Sequence, residues 1–351
     1  AEEAVVARPL WLEPIPEMIS LDDTLKKYGR SARGAGILSP VIGEFDDPAN
    51  QRQDLMRIPL GELGNAIVFG SAGSGKMTFL TTMIYSMIST LSPNQLNLYI
   101  LDFASETLRA FARAPHVGDV ILSYEAEKIT NLFKMLMQEI DFRKRLFSDY
   151  GGDYRTYIKD SGQDLPSIVV VIHNYAAFAE TCEDAEESVA FLTRKGSKYG
   201  IYFVVTATAA GSIRYRVQQN FAQTFVLRQN DETEYSGILG NTGGVIPSPL
   251  KGRGIFRSDT VYEFQTAHLS IGDETDLAFV KRRSSDLAGD WSGAGGKSVP
   301  VLPDSVTAPF MLERSPIVEV GLVPVGLDVR TFEPVLFDLR KDLVTLVLSR
   351  D

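Results

Sequence analysis

The sequence is poor in the residues that form covalent or metal-bound crosslinks. It has one cysteine, Cys182, and three histidines among 351 residues. A single cysteine excludes an intramolecular disulfide and a multi-cysteine zinc site, and it is typical of a reducing compartment. We expect Cys182 to be an ordinary half-buried side chain. The chain must therefore fold around a hydrophobic core, for which its length is sufficient.

Long apolar runs and excess positive charge are also missing. No run of eighteen apolar residues occurs, and the opening AEEAVVARPLWLEP is acidic where a signal peptide is basic. We expect any membrane contact to be made by other parts of a larger protein. The formal net charge is −10 and the pI about 5.0, the opposite of a surface that binds phosphate backbones. We therefore expect no nucleic-acid partner.

Composition divides the chain into three segments. Residues 1–39 are proline-punctuated and then glycine-rich, which predicts a docking arm and linker, with Trp11 and Leu12 anchoring it on a neighbour. Residues 40–270 alternate apolar strands such as NAIVFG, SIVVVIHNY and YFVVTATA with amphipathic helices. This alternation predicts an α/β fold with a mostly parallel central sheet covered by helices on both faces.

Residues 271–351 are predicted to be a linker and the first strand of a repeated module. The glycine-rich DLAGDWSGAGGKS resembles a flexible joint. After it, PVGLDV from Pro324 matches PVIGEF from Pro40, an offset of 324 − 40 = 284 residues, and an apolar strand follows each copy. Self-similarity of this kind is typical of tandem modules. Two unrelated hairpins remain the alternative.

The stretch GSAGSGKMT has the spacing of a phosphate-binding loop. It follows the apolar strand AIVF and opens a helix, which is the context that this motif requires. Glycines let the backbone turn its N–H groups inward, and the lysine reaches the outer phosphates from the helix N-terminus. The predicted nucleotide-binding residues are Gly70, Ser71, Ala72, Gly73, Ser74, Gly75, Lys76, Met77 and Thr78.

The residues that hold magnesium in such proteins are replaced. A hydroxyl normally follows the lysine, and carboxylates end a later strand. Here Met77 follows the lysine, and SIVVVIHNY ends in His173 and Asn174, which suit neither a hard cation nor general-base chemistry. Two replacements for the missing magnesium ligands stay open, the hydroxyl of Thr78 and the carboxylate of Asp102. We predict no metal site.

Several stretches together resemble the FtsK/SpoIIIE motor ATPases, and more closely the tandem ATPase modules of type VII secretion coupling proteins (EssC/EccC). They are GSAGSGKMTFLTTMI, LYILDFASETLRAFARAPHVGDVI, and the helix carrying Glu139 and Arg143. The opening RPLWLEPIP resembles the linker into a downstream module. The resemblance covers nearly the whole chain and implies a P-loop NTPase fold.

The resemblance also implies what has changed. Active members would have Thr or Ser at Met77, Asp-Glu at His173 and Asn174, and a sensor glutamine near Thr208. It therefore implies a degenerate downstream module that binds ATP weakly, secreted protein substrate, or both, with little or no hydrolysis. Whether magnesium takes part stays open. An active protein-export motor, or a DNA translocase, remains the alternative.

The family also implies partners and a location. The partners would be neighbouring ATPase modules of the same chain and small helical secreted proteins of the WXG/ESX type. The location would be the cytoplasmic face of the bacterial membrane. We place a substrate groove between residues 240–254 and 215–221, using exposed loops next to strand ends. Its apolar residues would be Phe221, Val245, Ile246 and Leu250, although completing the core is an alternative role for them.

Four further polar residues are weighed against structural roles. Arg214 and Arg216 follow a core strand, where an arginine can point at a neighbour's nucleotide, but surface arginines more often pair with a local carboxylate. His116 and His268 are isolated in the sequence, and we expect both to cap or pack rather than to act as switches or ligands.

Overall fold

The computed structural model describes residues 12–29, 38–272, 274–302, 305–315, 320–328 and 333–341. The chain divides into two units, residues 1–298 and residues 299–351. A ten-stranded sheet forms the centre of the first unit, and the second contains a two-stranded hairpin.

The elements of the first unit alternate between strands and helices for most of its length. Its strands are β1 (Val41–Asp47), β2 (Arg52–Arg57), β3 (Ala66–Phe69), β4 (Leu96–Asp102), β5 (Val117–Leu122), β6 (Ser167–His173), β7 (Ile201–Ala207), β8 (Gln223–Leu227), β9 (Arg253–Arg257) and β10 (Val261–Thr266). Its helices are α1 (Leu21–Lys27), α2 (Leu60–Leu63), α3 (Lys76–Thr90), α4 (Ala126–Leu146), α5 (Tyr154–Ser161), α6 (Tyr175–Thr181), α7 (Glu186–Lys195), α8 (Tyr215–Gln218), α9 (Thr233–Leu239) and α10 (Asp276–Asp290).

The sheet has the order β2-β1-β10-β9-β8-β3-β7-β6-β4-β5. The six strands from β8 to β5 are parallel, whereas β9, β10, β1 and β2 extend the sheet by antiparallel pairing. The predicted fold class is therefore confirmed. Because antiparallel neighbours can be joined by short turns, β1 and β2, like β9 and β10, follow each other in the sequence without a long helix between them.

The path of the chain positions the loop after β3. From β3 the chain passes over β7 and β6 to β4, and then returns through β6 and β7 to β8. Because parallel crossovers are right-handed, α3 lies on one face and α4, α6 and α7 on the other. Strands β3, β6 and β7 are buried along their whole length. The loop after β3 thus opens at the carboxyl edge, between β7 and β8, where open α/β sheets bind ligands.

The N-terminal arm is part of the first unit. Ile15, Ile19, Leu21 and Leu25 are buried in the same core cluster as the sheet. The Leu21 N–H donates to the carbonyl of His268 at 2.9 Å, and the His268 N–H donates to that of Ile19 at 2.8 Å. Leu12 is exposed, and Trp11 lies outside the described residues. The compact unit thus includes residues that we had assigned to a linker ending at residue 39.

The predicted glycine-rich joint is also packed against the first unit. The Gly296 N–H donates to the carbonyl of Pro115 at 2.8 Å, and the hydroxyl of Tyr99 donates to that of Lys297 at 2.8 Å. A Cβ on Gly118 would lie 2.4 Å from the carbonyl oxygen of Lys297, so the two backbones touch. The first unit therefore continues to Ser298 rather than ending at residue 270.

The second unit has the same kinds of element, in the same order, as the opening of the first: a short helix and then an antiparallel hairpin. It contains α11 (Ala308–Arg314), β11 (Leu322–Leu327) and β12 (Pro334–Asp338). Like α1, α11 has seven residues, and its Thr307 cap matches Ser20 of α1 in bonding the N–H three residues on. Both hairpins are antiparallel and have a bulge just before a glycine, Gly43 or Gly326. The apolar strand expected after residue 343 lies outside the described residues.

Within the described residues, no helix is long and apolar enough to cross a membrane.

Candidate nucleotide site

The phosphate loop is held between the two strands that flank β3. The Gly70 N–H donates to the carbonyl of Ala207, the last residue of β7, at 3.0 Å. The N–H and the Oγ of Ser71 both donate to the carbonyl of Arg228, after β8, each at 2.9 Å. Gly73 has φ +72°, and Ala72 and Gly73 are exposed at the crown of the loop. The predicted residues therefore form the expected loop at the expected place.

Gly75 is required by its backbone and by its surroundings. Its φ is +107°, in the region that favours glycine. A Cβ there would lie 2.5 Å from the backbone nitrogen of Gly252. The Gly252 N–H donates to the carbonyl of Ser74 at 2.9 Å. The chain just before β9 thus fixes the base of the loop.

Lys76 begins α3 and folds back over the loop. Its Nζ donates to the carbonyls of Gly70 and Ser71, the latter at 2.9 Å. Burial lowers the pKa of Lys76, because a desolvated ammonium is less stable. A bound phosphate group would give this ammonium a charged partner in place of two neutral carbonyls.

Ser74 carries an unused polar group in the same loop. Its Oγ is buried and has no hydrogen-bond partner within the described part of the chain. A buried hydroxyl without a partner costs about 1–3 kcal/mol. An anion held in the loop would supply the missing acceptor, and the loop therefore fits the phosphate group of a nucleotide.

The position after the lysine offers no metal ligand. Met77 is half-buried and packs against the main core cluster. Thr78 is buried as well, at 7% exposure. A thioether in a core contact does not replace a hydroxyl on magnesium. The methionine at position 77 therefore contributes to core packing and does not provide a ligand for a metal ion.

The end of β6 is held by neutral hydrogen bonds. Oγ1 of Thr206 accepts the Asn174 N–H at 2.9 Å and lies 2.8 Å from Nδ1 of His173. Asn174 has φ +66° and donates from its side chain to the carbonyl of Phe103 at 3.2 Å. The hydroxyl of Thr206 thus links the end of β6 to β7 through both residues.

His173 is held in its neutral form. Burial is the main cause that lowers its pKa; the carboxylate of Asp102 opposes this shift, and the charge of Lys76 adds to it. A neutral imidazole is a poor ligand for an oxygen-seeking cation such as magnesium. The end of β6 therefore does not fit the metal that the family otherwise uses.

Asp102 does not fill the gap. It ends β4, level with His173 on β6. Its Oδ1 accepts the N–H groups of Ala104 at 3.1 Å and Ser105 at 3.3 Å, and its Oδ2 accepts that of Leu108 at 3.2 Å. Both oxygens are thus used to close a turn. In the described residues, no three His, Cys, Asp or Glu side chains form a group that could hold a metal ion.

Two residues that sequence reasoning missed lie on the other side of the loop. Gln229 follows β8, and in its hydrogen-bonding orientation its amide accepts the Gly70 N–H at 3.2 Å and donates to the carbonyl of Thr208 at 3.1 Å. The hydroxyl of Thr208 pairs with Ser212 at 3.1 Å. Arg228 places Nη2 3.8 Å from where a Cβ on Gly73 would be. Their position directly after the strand TFVL was the available signal.

The predicted groove is not assembled from its four residues. Phe221 is buried before β8, whereas Leu250 precedes β9, whose Gly254 pairs with Leu227 at the far end of β8. Six residues of extended chain, about 20 Å, separate the two ends. Val245 and Leu250 are half-buried, and Ile246 is exposed. The structure thus leaves the loop residues together and places Phe221 at the opposite edge of the sheet.

The edge near Phe221 has a cavity of its own. Its volume is about 400 Å³, and an aromatic group on β1, β8, β9 and β10 forms one wall. The aromatic residues are Phe45, Phe225, Phe256 and Tyr262. The predicted groove therefore combined residues of two separate surfaces, the loop before β9 and the edge near Phe221.

The remaining candidates lie away from the phosphate loop, and three of them have structural partners. Arg214 pairs with the buried Glu186 at 2.6 Å, while Arg216 is exposed. His116 donates from Nε2 to the carbonyl of Leu91 at 2.7 Å, and His268 pairs with Asp276 at 2.9 Å. Cys182 is half-buried. None of these side chains lies in the phosphate loop.

Helix α4, which carries Glu139 and Arg143, has a structural role. Arg143 of α4 is buried and bonds Glu139 at 2.6 Å, the carbonyl of Tyr199 at 2.8 Å and that of Pro166 at 2.7 Å. This arginine ties α4 to the starts of β6 and β7, which supports the edge opposite the phosphate loop.

Comparison with known proteins decides the family. The model of the FtsK/SpoIIIE family matches residues 40–240. The chain belongs to the FtsK/SpoIIIE family. Among curated relatives, it is 31% identical to the ESX secretion system protein YukB of Bacillus subtilis over 315 residues, 87% of this chain and 21% of YukB. It is 28% identical to the ESX secretion system protein EccC of Geobacillus thermodenitrificans, over 97% of this chain and 23% of EccC.

Solved structures agree with these relatives. EssC (ATPases 2 and 3) from Geobacillus thermodenitrificans superposes with a TM-score of 0.83 at 28% identity, over 94% of this chain and 63% of that chain. Thermomonospora curvata EccC (ATPases 2 and 3) in complex with a signal sequence peptide gives 0.72 at 26% identity, over 88% and 57%. The chain is thus homologous to type VII secretion ATPase domains, and it spans about a fifth to a quarter of the curated relatives it matches.

Proposed function

We propose that this chain is a nucleotide-holding, non-hydrolysing module of a type VII secretion coupling protein. One observation carries the proposal: the phosphate loop with its lysine lies beside a metal side formed by Met77, His173 and Asn174, which offer neither a hydroxyl nor a carboxylate to magnesium. Lys76 donates only to two neutral carbonyls of the loop, which an anion could replace, and no side chain caps the N-terminus of α3. Met77, His173 and Asn174 occupy the metal side and are engaged in packing or neutral hydrogen bonds.

The loss of the metal predicts binding without turnover. In P-loop NTPases, magnesium bridges the outer phosphates and neutralises the charge that develops during transfer. A site that cannot hold it retains only the interactions that ground-state nucleotide also makes, and such uniform binding does not accelerate the chemical step. We therefore expect weak ATP binding that does not require magnesium, and no useful hydrolysis.

A turnover assay tests this directly. The purified chain and Lys76→Ala are compared for ATP hydrolysis with magnesium, and for ATP binding by calorimetry with magnesium and with EDTA. We expect no hydrolysis above the Lys76→Ala background, and binding in EDTA that Lys76→Ala abolishes. A kcat in the range of phosphoryl-transfer kinases, about 1–100 s⁻¹, lost in Lys76→Ala, would establish the active-motor alternative instead.

We propose that the chain is a middle module, with neighbouring ATPase modules of the same protein as partners. The second unit repeats the capped helix and bulged hairpin with which the first unit begins. In the first unit, a Cβ on Gly43 would lie 1.9 Å from the carbonyl of Gln265 on β10, whereas no described residue lies within 4 Å of the equivalent position on Gly326.

The proposed location is the cytoplasmic face of the bacterial membrane, reached through other parts of the full-length protein. The proposed substrate is a small helical secreted protein of the WXG/ESX type. A relative that is 26% identical has been solved with a signal sequence peptide, which supports a peptide-binding role for modules of this kind. The net charge of −10 argues against DNA as the substrate, and we expect no salt-dependent DNA shift in a gel assay.

The loop before β9 is the surface that we propose for the substrate. Val245, Ile246 and Leu250 are partly or fully exposed, and the same loop ends at Gly252, which bonds the phosphate loop. A labelled substrate tail peptide is titrated against the parent, Val245→Asp and Leu250→Asp. Phe142→Asp is the control, because Phe142 is 47% exposed on α4.

We expect both loop variants to weaken peptide binding at least ~10-fold, the loss of one buried apolar side chain each, and the control to bind as the parent does. Equal binding by all folded variants would remove the loop from the site. Phe256→Asp is titrated as well, because Phe256 lines the aromatic cavity; a loss confined to this variant would assign the peptide to that cavity at the opposite edge.

A further inference from the structure

Arg228 is positioned by the phosphate loop itself. Its carbonyl accepts two hydrogen bonds from Ser71, each 2.9 Å long. These bonds fix the backbone of the residue that follows β8 directly beside the loop. Its guanidinium reaches the loop crown, with Nη2 3.8 Å from the position of a Cβ on Gly73. Any larger residue at Gly73 would therefore touch it.

The guanidinium of Arg228 has no protein partner among the described residues. It makes no hydrogen bond or ion pair with any residue in the described part of the chain, and it is half-buried. The two fully buried arginines in the described ranges make several bonds each, as Arg253 does with Gln265 at 2.8 Å and the carbonyl of Ile15 at 2.7 Å. A side chain with a fixed backbone and an unpaired charged group is suited to binding a ligand of opposite charge.

The charge of a polyphosphate makes such a group necessary. The phosphate chain carries several negative charges, and Lys76 supplies one positive charge from the helix side. In active P-loop enzymes, magnesium supplies the rest, but Met77, His173 and Asn174 do not hold it. A guanidinium is always charged, and its planar fork fits two phosphate oxygens at once.

We propose that Arg228 takes the charge-neutralising place of magnesium, so that Lys76 and Arg228 together form a two-cation site for metal-free nucleoside polyphosphate. The inference rests on the proposed nucleotide-holding function and extends it to a ligand form and a specific residue. Free ATP is the preferred ligand, since a magnesium ion on the phosphates would compete with the guanidinium for the same oxygens. Gln229, on the Gly70 N–H, keeps the neighbouring wall neutral.

Calorimetry with a matched set of variants tests the site. ATP is titrated, in EDTA and in millimolar magnesium, into the parent, Arg228→Ala, Arg228→Lys, Lys76→Ala and Arg113→Ala. Arg113 is exposed and makes no ion pair with any of the described residues, so it controls for the loss of one surface charge. Thermal unfolding of each variant checks that it is folded, and Arg228→Lys keeps the charge if the alanine variant fails to fold.

We expect the parent to bind ATP at least as tightly in EDTA as in magnesium. Arg228→Ala should weaken binding in EDTA at least ~10-fold, the range of a charge-assisted hydrogen bond, Arg228→Lys should lose less, and Arg113→Ala should match the parent. If Arg228→Ala binds as the parent does while Lys76→Ala does not, Arg228 has no such role and the proposed function stands. If the parent binds only with magnesium, or binds no ATP at all, both proposals fail.

Discussion

The two halves of the candidate nucleotide site are built in different ways. The loop from Gly70 to Lys76 has the geometry of a phosphate-binding loop, which glycine conformations and hydrogen bonds to the ends of β7 and β8 set. A metal half needs side-chain oxygens, and Met77, His173 and Asn174 supply neither a hydroxyl nor a carboxylate there. A loop held by its backbone thus tolerates neighbouring side-chain substitutions that a metal site would not.

The metal half is also well ordered in its new form. The hydroxyl of Thr206 bonds both His173 and Asn174, and Asp102 closes a turn with both oxygens. These hydrogen bonds satisfy polar groups that would otherwise be buried without partners. The comparison predicts that the loop is sensitive to backbone changes and the metal half to side-chain chemistry.

Gly75→Ala should have the largest effect. We expect a loss of about 3 kcal/mol or more of unfolding free energy, because the new Cβ would meet the backbone of Gly252 at 2.5 Å and φ is +107°. Urea denaturation measures it. Gly162→Ala is the control, with φ +63° and nothing within 4 Å, and should lose only about 1–2 kcal/mol. Equal losses would show that the contact with Gly252 is not tight.

Restoring the metal half should create magnesium dependence. We expect Met77→Thr combined with His173→Asp and Asn174→Glu to bind ATP about 10-fold more tightly with magnesium than with EDTA, about 1.4 kcal/mol. Calorimetry on the triple variant and on the neutral set Met77→Leu, His173→Asn and Asn174→Gln makes the comparison. A triple variant without any gain from magnesium would show that the pocket itself has closed to the metal.

Asn174 should be sensitive in its backbone as well. Because φ is +66° and the side chain donates to the carbonyl of Phe103, Asn174→Ala should lose about 1–2 kcal/mol of unfolding free energy. Asn174→Gly relieves the backbone and should lose less than the alanine variant. Chemical denaturation of both decides the matter, and a more stable alanine variant would exclude backbone strain at this residue.

Acid should produce the smallest effect. Burial is the main cause that lowers the pKa of both His173 and His116. The unfolded chain therefore binds more protons, so stability is complete above about pH 6.5 and falls as the pH is lowered through the folded pKa values. We expect a loss under about 1.4 kcal/mol per pH unit for each histidine.

Thermal unfolding between pH 7 and pH 5 measures this loss in the parent, His173→Asn and His116→Gln. Each substitution should reduce the acid slope. Saturating ATP should oppose only the contribution of His173, since an anion next to Lys76 favours an imidazolium there. A parent whose stability rises toward pH 5 would contradict the assignment for both histidines.

Much of the fold was predictable because its signals are local. Buried parallel strands such as SIVVVIHNY are continuous apolar runs, and the phosphate loop has fixed spacing. The limits of the first unit were not predictable, because proline and glycine in the arm and in residues 293–297 resemble linker composition. Their burial depends on partners far away in sequence, such as His268 for the arm and Pro115 for the glycine-rich segment.

The site was predictable on one side only. Lys76, His173 and Asn174 follow from motif and strand order along the chain. Arg228 and Gln229 reach the loop because β8 pairs with β3, and the sequence does not state which strands are neighbours in a sheet. For the same reason, the sequence-based prediction placed Phe221 and Leu250 in one groove, although they lie at opposite ends of β8.

The glycine-rich segment before the second unit has a mechanical consequence. A loose glycine linker would absorb a pull as slack, but here the Gly296 N–H and the carbonyl of Lys297 are bonded to Pro115 and Tyr99. Tension applied beyond Ser298 would load these two bonds, one just before β5 and one on β4, before this segment extends. The pull would therefore be passed to the edge of the sheet that carries the phosphate loop.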